Sequence, residues 1–160
     1  MAQVLPMSGH VRRVDAQRGA DDRGAADADA LFATVAPNAV QAIRAFRVTD
    51  LQREAVRLGH HFLYAHCAHS QSKPDVLAAI AQSFCVTRSH ARTVKGLYGC
   101  LTAMTHKAGP QQGFVVVLEQ LPNTEEFDRE ARETLLDIFR DAADWWAERK
   151  VPFRVFYSFA

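Results

Sequence analysis

Gly113-Phe114-Val115-Val116-Val117-Leu118-Glu119 is an apolar run closed by an acid. A run of this kind, rich in β-branched residues and without polar alternation, suits a strand covered on both faces. Leu121-Pro122-Asn123 breaks it. A charged, amphipathic stretch follows from Glu125 to Lys150, and Pro152 stops it. Phe153-Arg154-Val155-Phe156-Tyr157-Ser158-Phe159 then reads as a second strand. Two hydrophobic strands joined by a long helical crossover form a βαβ unit, with parallel strands and the helix on one face of the sheet. The crossover is expected to start at Asn123, with Glu126 completing a capping pair. Its apolar face is Leu135, Ile138, Phe139, Ala142, Trp145 and Trp146. The two adjacent tryptophans diverge by about 100° around a helix, so one is expected in the core, leaving the other free to act as an exposed anchor.

The segments upstream repeat the strand–helix theme. His61 to His66 reads as a strand. Ser72 caps a helix with Pro74 in its first turn and Asp75 at N3, and Val76, Leu77, Ile80, Ala81 and Phe84 recur at helical spacing. Thr49 with Gln52 fits a capping box for a short helix from Asp50 to Leu58, ended by Gly59. Val94, Leu97, Tyr98, Leu101 and Met104 predict a helix over about Arg92 to Thr105. Gly96 and Gly99 lie inside it, and each weakens it by about 1 kcal/mol relative to Ala. The resulting expectation is an α/β domain over residues 39–160, a three-stranded parallel sheet packed with helices. Residues 1–38 are expected to be a disordered leader, because Asp15 to Ala30 has no β-branched or aromatic residue to offset the entropy of ordering.

Composition bounds the function. In 160 residues, 48% are hydrophobic and the formal net charge is +1, so bulk charge selects neither a nucleic-acid binder nor an acidic mimic. Cys67, Cys85 and Cys100 are odd in number and form no CxxC pair. Without a secretory h-region near Met1, they read as reduced thiols of a cytoplasmic protein. No run approaches the ~18 apolar residues of a membrane span.

Several segments resemble the barstar family of intracellular ribonuclease inhibitors, in its proteobacterial form. They are Leu97-Tyr98-Gly99-Cys100-Leu101-Thr102, the strand Phe114 to Glu119, Leu135-Leu136-Asp137-Ile138-Phe139-Arg140-Asp141-Ala142, and Val151-Pro152-Phe153-Arg154-Val155-Phe156. The resemblance covers about residues 60–160. It implies a barstar-like fold and a function of binding rather than catalysis, with no cofactor. The implied partner is a secreted-type ribonuclease, or another toxin-like protein, whose active site is occluded by one helix and its leading loop. Aromatic and acidic side chains there take the place of RNA phosphates, as an immunity protein requires.

Carried over residue by residue, the contact surface falls on Arg88, His90, Arg92, Lys95, Tyr98, Gly99 and Asp141. The inhibitory acids of the family fall on Lys95 and Gly99, while Asp141 keeps its acid. Between Asp75 and Glu119 there is no acidic residue, whereas Arg88, Arg92, Lys95 and Lys107 are basic. Like charges brought together at a basic ribonuclease cleft oppose binding. Three readings stay open: a surface retargeted to an acidic partner, lost inhibition, or alteration of this segment itself. An alternative is a nucleic-acid or acidic-protein binding module using the basic 88–107 segment, although only Tyr98 offers a stacking surface.

His60, His61, His66, Cys67 and His69 are the densest group of possible metal ligands. Their spacing matches no zinc pattern, and strand alternation sends His66 and Cys67 to opposite faces, so no metal is expected. No Ser-His-Asp set, phosphate-binding glycine loop or paired-carboxylate site stands out, and the chain does not read as an enzyme.

Overall fold

The computed structural model describes residues 31–84, 92–103 and 112–160. The expected leader lies outside the described residues over 1–30. Residues 31–36 belong to a separate unit, in which the Val35 amide donates to the Phe32 carbonyl at 3.0 Å. The other unit, Pro37–Ala160, is the α/β domain.

In chain order its described elements are β1 (Asn38–Ala42), α1 (Val48–Leu58), β2 (His61–His66), α2 (Lys73–Ser83), α3 (Val94–Thr102), β3 (Phe114–Leu121), α4 (Arg129–Glu148) and β4 (Phe153–Phe159). The sheet order is β1-β4-β3-β2, with every pair parallel. The sheet therefore has four strands where the sequence suggested three. The added strand is β1, Asn-Ala-Val-Gln-Ala, half-buried throughout. One β-branched residue in five gives no periodic signal, so pairing with β4 rather than local propensity makes it a strand. Asn38 anchors its start: the side-chain amide donates to the carbonyls of Ala143 and Val151, each at 2.9 Å.

β3 is central, and Phe114 through Leu118 are fully buried. Register aligns Val40, Val155, Val116 and Leu63 in one row across the sheet. That row belongs to the main core with Ile80 of α2, Leu97 and Leu101 of α3, and Leu136 and Phe139 of α4. The alternate row is Ala39, Arg154, Val115 and Phe62. This second face lies with α1, which contacts β2 and β3 and buries Leu51, Glu54 and Ala55.

Three helix starts show which sequence signals the chain uses. The box at Ser72 forms as expected: its hydroxyl accepts from the Asp75 amide, and the Asp75 carboxylate accepts from the Ser72 amide. The other two expectations are corrected. α1 begins one residue before Thr49, with Arg47 at the cap and no side-chain bond there. α4 begins at Arg129, not after Asn123, with the Asp128 carboxylate accepting from the Ala131 amide at 2.9 Å. Residues Asn123 to Phe127 are instead a turn, in which the Thr124 hydroxyl accepts from the Phe127 amide at 3.1 Å. Burying Phe127 fully requires that turn, and Asp128 then supplies the cap. Gly59 ends α1 at φ 71°, a left-handed cap that glycine adopts without strain.

Polar groups on the second face gather under α1. Glu54 is 2% exposed, and its Oε1 accepts from Arg57 Nε at 2.7 Å. Burial pulls the Arg154 guanidinium below its ordinary pKa, and the Glu54 carboxylate opposes that shift. His60 is pushed below its ordinary value by burial first and by Arg154 second. Its ring lies against Gly113, where an added Cβ would come within 2.6 Å of Nε2.

Gly113→Ala is therefore expected to lower stability by about 1–3 kcal/mol through overpacking, read from urea midpoints. His60 also sets a pH dependence. Above its ordinary pKa of about 6.5 both folded and unfolded states are neutral there. As pH falls below that value, the unfolded chain takes up a proton that folded His60 resists, so stability drops. Urea melts across that range are expected to show a shallower loss for His60→Gln than for the parent.

Candidate functional site: the cleft between α3 and α4

α3 is short, and local chemistry only partly supports it. The Thr93 hydroxyl caps it by accepting from the Gly96 amide at 3.0 Å. At the other end Thr102 turns its hydroxyl back onto the Tyr98 and Gly99 carbonyls at 3.0 and 3.2 Å. Leu97 and Leu101, one turn apart, bury one stripe. Its described extent stops at Thr102, and Met104 and Thr105 of the expected helix lie outside the described residues.

Packing against α4 supplies what two glycines withhold. Trp146 is buried, its indole Nε1 donates to the Leu101 carbonyl at 3.1 Å, and its ring lies 4.9 Å from that of Phe114. That bond engages a carbonyl of the last turn of α3, where intrahelical partners run out. One side chain thus ties α3, α4 and β3 together. Trp145, its neighbour, is half-buried and stands edge-on to it at 4.8 Å.

The two helices leave a cleft of about 500 Å³ between them. α3 contributes Val94, Lys95 and Tyr98. α4 contributes Ile138, Asp141, Asp144, Trp145 and Glu148. The α4 residues recur three and four apart, the spacing that sets side chains on one face of a helix. The walls are aromatic and aliphatic, and the rim carries three carboxylates against one ammonium. α3 thus brings no acid to this cleft, and α4 brings three. Among the described residues Lys95, Asp141 and Asp144 form no ion pair with one another or with a third group.

Of the residues singled out from the sequence, Lys95, Tyr98 and Asp141 are brought to this one cleft. Gly99 is exposed on α3, does not line the cleft, and has nothing within 4 Å of where a Cβ would stand. Arg92 is exposed just before the Thr93 cap and is also outside the lining. Arg88, His90 and Lys107 lie outside the described residues. Asp144 and Glu148 were not singled out. Their signal was the spacing from Asp141, which any solvated helix face shares; only the placement of α3 distinguishes them.

The histidine group at the end of β2 divides between the two faces. Cys67 is buried in the main core, and burial pushes its thiol up to about 11. His66 is exposed, with Nε2 4.0 Å from Glu119 Oε1. Glu119 accepts a hydrogen bond from the Tyr64 hydroxyl; burial, then that bond, raises the Tyr64 pKa to about 12. Among the described residues no group of three or more His, Cys, Asp or Glu is placed to hold a metal ion. No helix of the described residues is long and apolar enough to cross a membrane.

A family model described as Barstar (barnase inhibitor) matches residues 60–158. No curated protein matches the chain. The match contains β2, β3, β4 up to Ser158, the three helices of the main core and the whole cleft; β1 and α1 precede it.

Gly99→Ala is expected to raise stability by up to about 1 kcal/mol, because the new methyl meets open space and only helix propensity changes. Thermal and urea melts check it; a loss of stability would mean that α3 is not helical at this position.

Proposed function

Because the chain belongs to the barstar family, we propose that it is a non-catalytic inhibitor or immunity module, acting in the cytoplasm without a cofactor. Its α3–α4 cleft and the preceding loop dock into the active site of a barnase-type ribonuclease or another toxin-like protein with a basic cleft. The observation that carries this reading is the convergence of Lys95 and Tyr98 of α3 with Asp141 of α4 on one cleft rimmed by carboxylates. A basic active site is drawn to such a rim, and the aromatic and aliphatic walls supply area that docking can desolvate. Arg88, His90, Arg92 and Gly99 are proposed to flank the contact, Gly99 by leaving room for a side chain of the partner.

The reversal of charge at Lys95 is offset by Asp144 and Glu148, which share its cleft. Inhibition is on this reading retained with a changed charge pattern, not abolished. A nucleic-acid partner fits less well, because those carboxylates repel the phosphates that Lys95 would attract.

Calorimetric titration against a barnase-type ribonuclease tests the proposal. The parent chain is expected to bind, and the Lys95→Asp, Gly99→Asp double variant to bind more tightly by at least about tenfold. Heats of mixing absent for both chains would exclude that class of partner. Binding instead to single-stranded RNA, falling steeply with salt, would favour the nucleic-acid reading.

A further inference from the structure

The sheet has two edge strands, and they differ in how well they are blocked. β1 is preceded by Pro37 and followed closely by Arg44, a proline and a charge of the kind that keeps an edge from pairing. β2, His61-Phe62-Leu63-Tyr64-Ala65-His66, has no proline, lysine, arginine or carboxylate. Its pairing with β3 is continuous, and among the described residues no strand lies beyond it. We infer that this edge is a self-association surface: β2 pairs antiparallel with β2 of a second copy of this chain, across a twofold axis at Tyr64, joining two four-stranded sheets into one.

The backbone sets the register. The His61 amide donates to the Gly113 carbonyl and the Cys67 amide to that of Glu119, each at 2.8 Å, so the odd-numbered residues turn their backbone groups toward β3. Phe62, Tyr64 and His66 therefore turn theirs to the open side. About an axis at Tyr64 these are the residues that meet, Tyr64 with its own copy and Phe62 with His66, and each such pair exchanges two bonds. Their side chains already form a row of rings on one face of the sheet. Phe62 and Tyr64 are parallel within 12° with centroids 6.4 Å apart, and His66 follows Tyr64 at 6.3 Å. Pairing sets ring opposite ring, the cross-strand arrangement that stabilises a sheet.

Charge favours a second copy as the occupant. With no Asp, Glu, Lys or Arg in the strand, two copies meet without the repulsion of identical charged edges. Glu119, one strand further in, is held by the Tyr64 hydroxyl. α1 adds apolar surface beside the rings. Leu51 and Ala55 are buried on it, and Glu54 lies toward Arg154 of β4, which leaves Val56 on the flank toward β2. At 73%, Val56 is the most exposed large hydrophobic side chain of the described residues. Neither β2 nor α1 lines the α3–α4 cleft, so pairing takes none of its residues. Two short strands and this margin make an interface at the small end of specific contacts, so the dimer is expected to be reversible, with a Kd on the order of 10–100 μM.

Sedimentation velocity of the full chain from about 1 μM to about 1 mM tests the inference. The weight-average mass is expected to rise from monomer to dimer over that range. Tyr64→Lys puts a charge on the axis while leaving Glu119 a partner, and is expected to weaken association by at least about tenfold. Val56→Lys, at a site too exposed to disturb folding, is expected to weaken it by about threefold. Gln41→Lys places the same charge on the other edge and is expected to leave association unchanged. Amide hydrogen exchange reads the surface itself: Tyr64 and His66 are expected to exchange more slowly as concentration rises, and Val40 and Ala42 at a constant rate. A chain that stays monomeric throughout overturns the inference and leaves the edge to a strand of another protein. A dimer that survives both Tyr64→Lys and Val56→Lys, or one lost in Gln41→Lys, overturns it equally, the latter by placing the contact at β1.

Discussion

The double burial of β3 is the constraint from which the rest of the domain follows. A strand whose five residues Phe114 to Leu118 are fully buried must be flanked by strands on both edges and covered on both faces. β2 and β4 satisfy its backbone groups in parallel register, and helical crossovers are the way a chain returns to start a parallel neighbour. Those crossovers deliver α2, α3 and α4 to one face. The other face falls to α1, which lies outside the family match and pairs its buried Glu54 with the partly exposed Arg57. Close packing at the β3 entrance explains why Gly113 has no room for a side chain beside His60.

The cleft between α3 and α4 is a consequence of how α3 is held. α3 has two glycines and only two fully buried leucines, too little to hold it by itself. Trp146 supplies the remainder through a hydrogen bond to the end of α3 and ring packing onto Phe114. Because Trp145 and Trp146 diverge around the helix, the buried ring that anchors α3 obliges its neighbour to sit at the cleft. The charge of the cleft is likewise a product of packing. α3 alone is basic and α4 alone is mixed, but the face of α4 that meets α3 carries Asp141, Asp144 and Glu148.

Much of the fold was legible in the sequence because its signals are local. The β3 run, the helical stripe from Leu135 to Trp146, the Ser72–Asp75 box and the glycine after α1 each state their own conformation. β1 was not legible, since its strand character comes from β4 and from the Asn38 clamp. The start of α4 was misplaced because Asn123 with Glu126 and Asp128 with Ala131 are both credible caps; burial of Phe127 chose between them.

The sequence by itself determined the α/β class, the parallel strands, the family and three of the cleft residues, all of which depend on short-range periodicity or on segments read as blocks. The tertiary structure alone decided which acids line the cleft. Asp137 and Asp141 are four residues apart on one helix, yet the first is bound to Arg140 and the second lines the cleft. Neither residue type nor spacing separates them. The difference arises from where α3 crosses α4, and that crossing is fixed by contacts between residues about 45 positions apart, as Leu101 and Trp146 are.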